Sequence, residues 1–528
     1  MSFDLKSLSL NKMIAQRVMP RLDGGRLGDK GYMDEVVKLV DAGVGGFILF
    51  GGEYHEVRQA LVRLQARAKV PLLIASDMER GAGQQLRGAT VFPRQMAVAA
   101  ATDLVSGEGL GLVTEMAEAV AEEARWAGVH AVLGPVLDVN SNPDNPIICT
   151  RAFSDEPQVV STLGERYVKG MQNAPFPVMA CAKHYPGHGD TSVDSHDKLP
   201  VIDKDKESLE EEDMLPFRRA VMAGVDMVMT AHLMVPSLDP VYPASLSRNI
   251  TRGYLRNRAG FEGIVMTDAL DMGALKGGFP PVEAARLAIK SGADILLHPP
   301  EPAAYLEELF ALAKDKGVTK EDVFLPAGRL QRAKLKYCVP AKISDAKLRE
   351  DLVKNRELAH SISLRALTLV KAGGAFPALM DIKGTIAHIV LEDDGDRLSG
   401  RGIRSRLAAR HKKLKNIFVT NDTLPAMRAL ALKTAKEASL VVVSVFSKVS
   451  AGKGRSGISP GLLELGKQVL AKNKKCVVVS FGSPYILKEF MDAEYVVAAY
   501  DPSEAMQEAA YRAFMGEIVF RGDLPVRL

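Results

Sequence analysis

The sequence predicts an α/β chain, a (β/α)8 TIM-type barrel followed by a smaller C-terminal α/β sandwich domain. Three observations carry this expectation. From residue 1 to about 340, short apolar runs alternate with longer stretches of helical period, the pattern of βα units feeding a parallel sheet. Counting a weak first strand, that span holds eight such runs, which suits a closed barrel better than an open doubly wound sheet. A polar break then interrupts the pattern, and five more apolar runs follow it.

In chain order, the first strand lies near Arg17 to Met19 and the next are GFILF (46–50) and PLLIASD (71–77). AVLGPVLD (131–138), PVMACAKHY (177–185), VDMVMTAH (225–232), GIVMTD (263–268) and ADILLHP (293–299) complete the set. Their continuous apolar character is that of strands covered on both faces. Nearly all end in a polar or ionisable residue: Asp77, Asp138, Lys183 with His184, His232, Asp268 and His298. Barrel active sites are assembled at those strand ends. Taken singly, each such residue is also what the start of any loop would hold.

The stretch VPAKISDAKLRE (339–350) is polar and contains Pro340, so a linker over 341–365 separates a catalytic barrel (1–340) from a second domain (366–528). The later runs are TIAHIVLED (385–393), KNIFVTND (415–422), LVVVSVF (440–446), CVVVSFG (476–482) and YVVAAY (495–500). Helical segments over 424–438 and 460–472 lie between them, as in a doubly wound α/β layer. No G-x-G-x-x-G follows the first of these strands, and the loop 447–459 lacks the spacing of a phosphate-binding loop. That loop is expected to be a mobile surface segment, with a reach toward the barrel mouth as the alternative.

Composition narrows the partners. The 528 residues are 47% hydrophobic and 25% charged, an ordinary globular balance. A net charge of +4 over such a length is too dilute for nucleic-acid binding. Cys149, Cys181, Cys338 and Cys476 show neither zinc-knuckle nor redox spacing and are expected to be reduced and buried. Asp4, Lys6, Lys12 and Arg17 interrupt the stretch where a signal peptide needs an apolar core, and no apolar window spans a membrane. A cytoplasmic protein without membrane association is the expectation.

Three of the ten histidines lie between His184 and Lys198, in HYPGHGDTSVDSHDK. This stretch follows a strand, carries Pro186, Gly187 and Gly189, and shows no apolar period, so it reads as a mobile loop able to close over a ligand. Two chemistries suit it. His184, His188, Asp190, Asp194 and His196 offer donors for a zinc or di-metal hydrolase, although all would come from one glycine-rich loop. Alternatively Asp194 and His196, two positions apart, form a dyad in which Asp194 orients the imidazole and the second ring nitrogen moves a proton. The bland alternative is that the pair ties down a surface loop. Asp268, at the end of GIVMTD, supplies a carboxylate suited to attack on an acetal carbon, giving a covalent glycosyl intermediate that water resolves. Asp271 competes for that role but reads better as a helix N-terminal acid.

KHYPGHGDTSVDSHDKLP (183–200), with NPIICTRAFSDEP (145–157) before it and GIVMTDALDMGAL after it, resembles glycoside hydrolase family 3, in its β-N-acetylglucosaminidase branch. The resemblance runs through the whole barrel, and GDLPVRL (522–528) is similar to the close of that family's C-terminal domain. It implies Asp268 as nucleophile, His196 as acid/base, Asp194 as its partner, and sugar contacts from Asp77, Arg151, Lys183 and His184. Charge-assisted hydrogen bonds from convergent ionic groups suit a polyhydroxyl ring. A regular strand would point Lys183 and His184 opposite ways, so both reach one ligand only if the strand ends or bulges there. Arg151 has an alternative in an ion pair with Asp155 or Glu156. The family's D-Q-E-G-G reads Asp77-Met78-Glu79-Arg80-Gly81 here, with an arginine in place of a glycine at the turn.

The expected activity is a retaining exo-β-N-acetylglucosaminidase needing no metal and no cofactor. Its substrate is a small GlcNAc-terminated glycan or a muropeptide fragment from peptidoglycan recycling. The alternatives are a β-N-acetylglucosaminide phosphorylase, because an imidazole repels an incoming phosphate less than a second carboxylate does, a β-glucosidase, and a metal-dependent barrel hydrolase.

Overall fold

The computed structural model describes residues 3–423, 425–447, 449 and 452–528. Met1 and Ser2 of the segment read for a leader, Leu424 of the 424–438 helix, and Lys448, Ser450 and Ala451 of the 447–459 loop lie outside them. The chain forms two compact units: 1–92, 113–139 and 157–356 make the first, and 93–112, 140–156 and 357–528 the second.

The first unit is built on parallel strands. β1 (Val18–Met19), β2 (Arg21–Asp23), β3 (Gly46–Phe50), β4 (Leu73–Ser76) and β5 (Ala131–Val132) are followed by β6 (Met179–Tyr185), β7 (Met227–Thr230), β8 (Ile264–Thr267) and β9 (Leu296–Leu297). Strands β2 to β8 make one seven-stranded sheet in strict sequence order, and β1 pairs with β9 in parallel. A sheet wound in one direction has no switch point, which excludes the open doubly wound alternative. Hydrogen bonds flank the short β1–β9 pair on both sides. Thr267 N donates to Ile295 O (3.1 Å) beside β8, and Ile48 N to Pro20 O (2.9 Å) beside β3. The weak first strand is thus real but split at Pro20, which has no N–H to donate. Every residue of β4 to β9 is buried, as their uninterrupted apolar runs require.

The second unit holds a six-stranded mixed sheet of β10 (Thr368–Ala372), β11 (Ile386–Glu392), β12 (Leu414–Val419), β13 (Leu440–Ser447), β14 (Cys476–Gly482) and β15 (Tyr495–Ala498). Its order is β10-β15-β14-β13-β11-β12, with only the β10–β15 pair antiparallel. The edge strand β10 has no counterpart among the sequence-predicted runs, because a half-exposed TLVKA presents little apolar signal. The helices Pro425–Glu437 and Pro460–Lys472 fall where the sequence places them. The segment read as a linker carries most of a 22-residue helix, Asp345–Ala366. Two stretches from the first third of the chain join this unit. Asp523 N donates to Ala100 O (3.0 Å), and Asn140 Nδ2 to the Tyr485 hydroxyl (2.9 Å).

No helix among the described residues is long and apolar enough to cross a membrane. Cys149, Cys181 and Cys476 are free and buried, and Cys338 is free and half-buried.

Candidate active site

In the first unit, the carboxyl ends of β4, β6 and β8 position the ionisable groups. Lys183 closes an apolar run, and its buried Nζ lies 2.7 Å from Asp77 Oδ1 and 2.7 Å from Glu79 Oε1. One ammonium facing two carboxylates satisfies the desolvated cation and leaves the trio with net negative charge. The turn that carries Asp77 and Glu79 does not suffer from Arg80. The left-handed backbone falls on Gly81 (φ 94°), where a Cβ would lie 2.5 Å from Thr90 O, and Arg80 N donates to Gln84 Oε1 (3.1 Å).

The β6–β7 pairing shifts register between Ala182 and Tyr185, across Lys183 and His184. The Lys183–His184 peptide is cis. His184 Nδ1 lies 2.8 Å from Asp138 Oδ2, and Asp138 Oδ1 accepts the backbone N–H of His184 (3.1 Å) and of His188 (2.7 Å). Burial acts to raise the Asp138 carboxyl, but His184 and these amides outweigh it and hold the group below its ordinary range.

The loop after β6 is a hydrogen-bonded structure rather than a loose flap. His188 is buried, with Nδ1 2.9 Å from Thr191 Oγ1 and Nε2 3.0 Å from Ser195 Oγ. Burial pushes its imidazole down to about 4, so it is neutral at neutral pH. Asp194 is buried as well, and its Oδ1 accepts the His196 backbone N–H (2.9 Å) and lies 2.8 Å from His196 Nδ1. The His196 side chain is 41% exposed against 1% for that of Asp194, so the dyad has a fixed inner member and an outward imidazole. Gly273 N donates to His196 O (3.1 Å) and Ala274 N to Ser195 O (3.2 Å), fastening the loop to the segment after β8. A Cβ at position 273 would lie 2.3 Å from His196 O, which explains the glycine.

Asp268 follows β8. Its amide donates to Thr230 O (2.9 Å), and its Oδ1 accepts from Ala269 N (2.8 Å). Burial acts to raise its carboxyl. Interaction with His184, His232, the Ala269 amide and His196 outweighs it, and Asp268 is held below the usual carboxylate range. An ionised carboxylate under the influence of two strand-end histidines and the dyad imidazole is equipped to act as a nucleophile. Asp271, the competitor, instead has Oδ1 3.3 Å from His298 Nδ1.

Of the seven residues singled out from the sequence, Asp77, Lys183, His184, Asp194, His196 and Asp268 belong to the first unit and Arg151 to the second. Arg151 ends the turn Cys149–Arg151 and donates from Nη1 to Ile147 O (3.1 Å). Asp155 and Glu156, its proposed ion-pair partners, are both engaged by Arg527. Sequence reasoning did not give Asp138 its role under His184, nor His188 its role under Ser195. The first was visible as a strand-end acid and the second as part of the histidine cluster. Among the described residues, no three His, Cys, Asp or Glu side chains are grouped as a metal-ligand set.

Comparison with known proteins extends this picture. A beta-hexosaminidase A of Pseudoalteromonas piscicida is 31% identical over 395 residues, covering 68% of this chain, which spans only 64% of that protein's length. A beta-hexosaminidase of Chromobacterium violaceum is 35% identical over 274 residues, 51% of this chain and 76% of the relative. A glycoside hydrolase family 3 beta-N-acetylglucosaminidase from Paenibacillus sp. str. FPU-7 superposes with a TM-score of 0.85 at 29% identity, over 99% of both chains. The model of the glycosyl hydrolase family 3 N terminal domain matches residues 9–333, the span from β1 through β9 that carries the dyad, the buried lysine and Asp268. With that match over more than half its length, the chain belongs to glycosyl hydrolase family 3.

Proposed function

We propose that the protein is a retaining exo-β-N-acetylglucosaminidase whose site lies at the strand ends of a closed (β/α)8 barrel. The barrel would occupy residues 1–340, with 341–365 as connection and 366–528 as the accompanying sandwich. The hydrogen bonds that flank the β1–β9 pair support closure of the sheet. The observation that carries the activity is the dyad: His196 Nδ1 lies 2.8 Å from buried Asp194, on a loop that the Gly273 and Ala274 amides fasten to the segment following Asp268. The beta-hexosaminidase relatives and the Paenibacillus enzyme support the acetamido sugar as substrate.

In this reading the Asp268 carboxylate attacks the anomeric carbon, and the glycosidic oxygen departs with a proton from His196 Nε2. Asp194 accepts from Nδ1–H and stabilises the imidazolium before that transfer. Water then adds to the anomeric carbon of the glycosyl-aspartate ester, gives its proton back to His196 and releases the Asp268 carboxylate. Asp77, Lys183 and His184 hold the sugar hydroxyls, and no metal or organic cofactor takes part. A GlcNAc-terminated glycan or muropeptide fragment met in the cytoplasm during peptidoglycan recycling is the proposed substrate. Because the proton donor is an imidazole, an anion meets little repulsion at the intermediate, and phosphorolysis is the competing outcome.

Hydrolysis of 4-nitrophenyl β-N-acetylglucosaminide against the matching β-glucoside, in chelator, with and without phosphate, decides between these readings. Preference for the acetamido sugar, unaffected by chelator, is expected. Appearance of sugar 1-phosphate replaces hydrolase by phosphorylase, and turnover of neither glycoside overturns the assignment.

A further inference from the structure

Away from the strand ends, the first unit has a cavity of about 290 Å³ between the segment Asn249–Arg258, the helix Pro281–Ser291 and the start of the helix Lys320–Tyr337. Arg248, Arg252 and Lys290 line it, with Asp322 as its one carboxylate. That carboxylate is already engaged: its Oδ2 lies 2.6 Å from Lys290 Nζ, 2.9 Å from Thr319 N and 3.0 Å from Thr319 Oγ1. Asp294 is likewise taken, by Arg256 (2.6 Å) and Arg329 (2.9 Å). Arg248 and Arg252 have neither a hydrogen bond nor an ion pair among the described residues. Burial, and after it the charge of Arg248, push the Arg252 guanidinium below its ordinary value against the opposing charge of Asp322.

Half-buried Arg252 and exposed Arg248 beside it keep guanidinium donors unbonded next to a carboxylate already held by Lys290 and Thr319, an arrangement an anion complements. Guanidinium donors in this number match the oxygens of a phosphate group. Tyr242 and Leu287 add a ring and an apolar surface to the lining, which a bare anion does not use. The volume stands near the lower end of small-ligand pockets, roughly ten times the share of one water, and accommodates a phosphate on a body of monosaccharide size. We propose that this cavity binds a small phosphate monoester, with Arg248 and Arg252 on the phosphate, Lys290 beside it and Tyr242 against the organic part. The proposal is independent of the activity assigned to the strand-end site.

Calorimetric titration tests it with three probes at constant ionic strength: a hexose 6-phosphate, inorganic phosphate and the uncharged hexose. The expected result is saturable binding of the hexose phosphate, about tenfold tighter than inorganic phosphate and undiminished by a saturating GlcNAc inhibitor of the glycosidase site. The R248A/R252A variant should bind it at least tenfold more weakly while glycoside turnover stays within twofold, since neither residue touches the catalytic groups. R248E, a change at an exposed position that leaves the buried packing alone, should weaken binding in the same sense. Equal affinity in wild type and variants, or no saturable binding of the ester, overturns the proposal. Inorganic phosphate binding as tightly as the ester overturns the monoester assignment in favour of free phosphate.

Discussion

Two glycine-bearing loops leave the carboxyl ends of parallel strands in this molecule, one after β6 and one after β13, and they handle their charges differently. In the second, Lys453 Nζ bridges Asp393 (3.2 Å) and Asp394 (2.8 Å), and Arg455 pairs with Asp393 (2.7 Å). Ser447 Oγ also donates to Ser456 O (3.0 Å) and Gly457 O (2.9 Å). Its two cations are thus neutralised by the carboxylates that follow β11. In the first, His188 bonds to Thr191 and Ser195, its amide is accepted by the Asp138 carboxylate (2.7 Å), Lys204 lies 3.6 Å from Asp190, and the amides of Gly273 and Ala274 fasten the end. Within it, buried Asp194 bonds both the amide and Nδ1 of His196, whose side chain stays 41% exposed. The difference lies in the exposed imidazole: the second loop's cations are met by carboxylates from another strand end, whereas the first keeps a carboxylate–imidazole pair of its own.

The largest test of this contrast is Asp268→Ala, expected to lower kcat on 4-nitrophenyl β-N-acetylglucosaminide by about 10,000-fold or more with little change in thermal midpoint. Asp393→Ala in the other loop should do the reverse. It should keep kcat within about twofold and lower stability by about 1–3 kcal/mol, because Arg455 and the Ser459 amide lose their acceptor and Lys453 loses one of its two. An equal loss of kcat from Asp393→Ala would break the comparison. His196→Ala comes next, expected to slow a natural disaccharide by about 1,000-fold but an activated aryl glycoside by less than about tenfold, since a good leaving group departs without a proton. Equal slowing of both substrates would remove proton donation from its role.

Asp194→Asn removes the carboxylate behind the imidazole and should cost about 100-fold in kcat/KM on the disaccharide, with the loop still folded. His188→Ala should cost about 1–2 kcal/mol of stability and about tenfold in kcat/KM, since Ser195 and Thr191 lose their partner; His188→Asn, able to donate and accept, should restore part of both.

The smallest effect separates the units by pH. Burial pushes His188 of the first unit and His388 of the second down to about 4, and His130 of the first to about 3. Such a group binds its proton in the unfolded chain near pH 6.5 but not yet in the folded one, so stability falls as pH drops from about 6.5 toward 4. Both units should show it in thermal midpoints measured across that range, and His388→Gln should flatten the second unit's share. A midpoint independent of pH would exclude these histidines as its cause.

Strand-end acids and histidines were legible because apolar runs of strand length mark where each strand stops, and the dyad was legible because its members are two positions apart. The edge strand β10 was not, since a half-exposed strand makes little use of apolar residues. Nor were the partners of the site residues: Lys183 meets Asp77 across 106 positions, and His184 meets Asp138 across 46.

By itself, then, the sequence determined the alternation of elements, the polar residues that end the strands, and the Asp194–His196 pair, all of which depend on spacing within a short window. Only the tertiary structure decided that β1 and β9 pair, that 93–112 and 140–156 join the C-terminal unit, and which carboxylate answers which cation. These last are long-range choices, settled by which groups packing and desolvation force together, and no local window contains both partners.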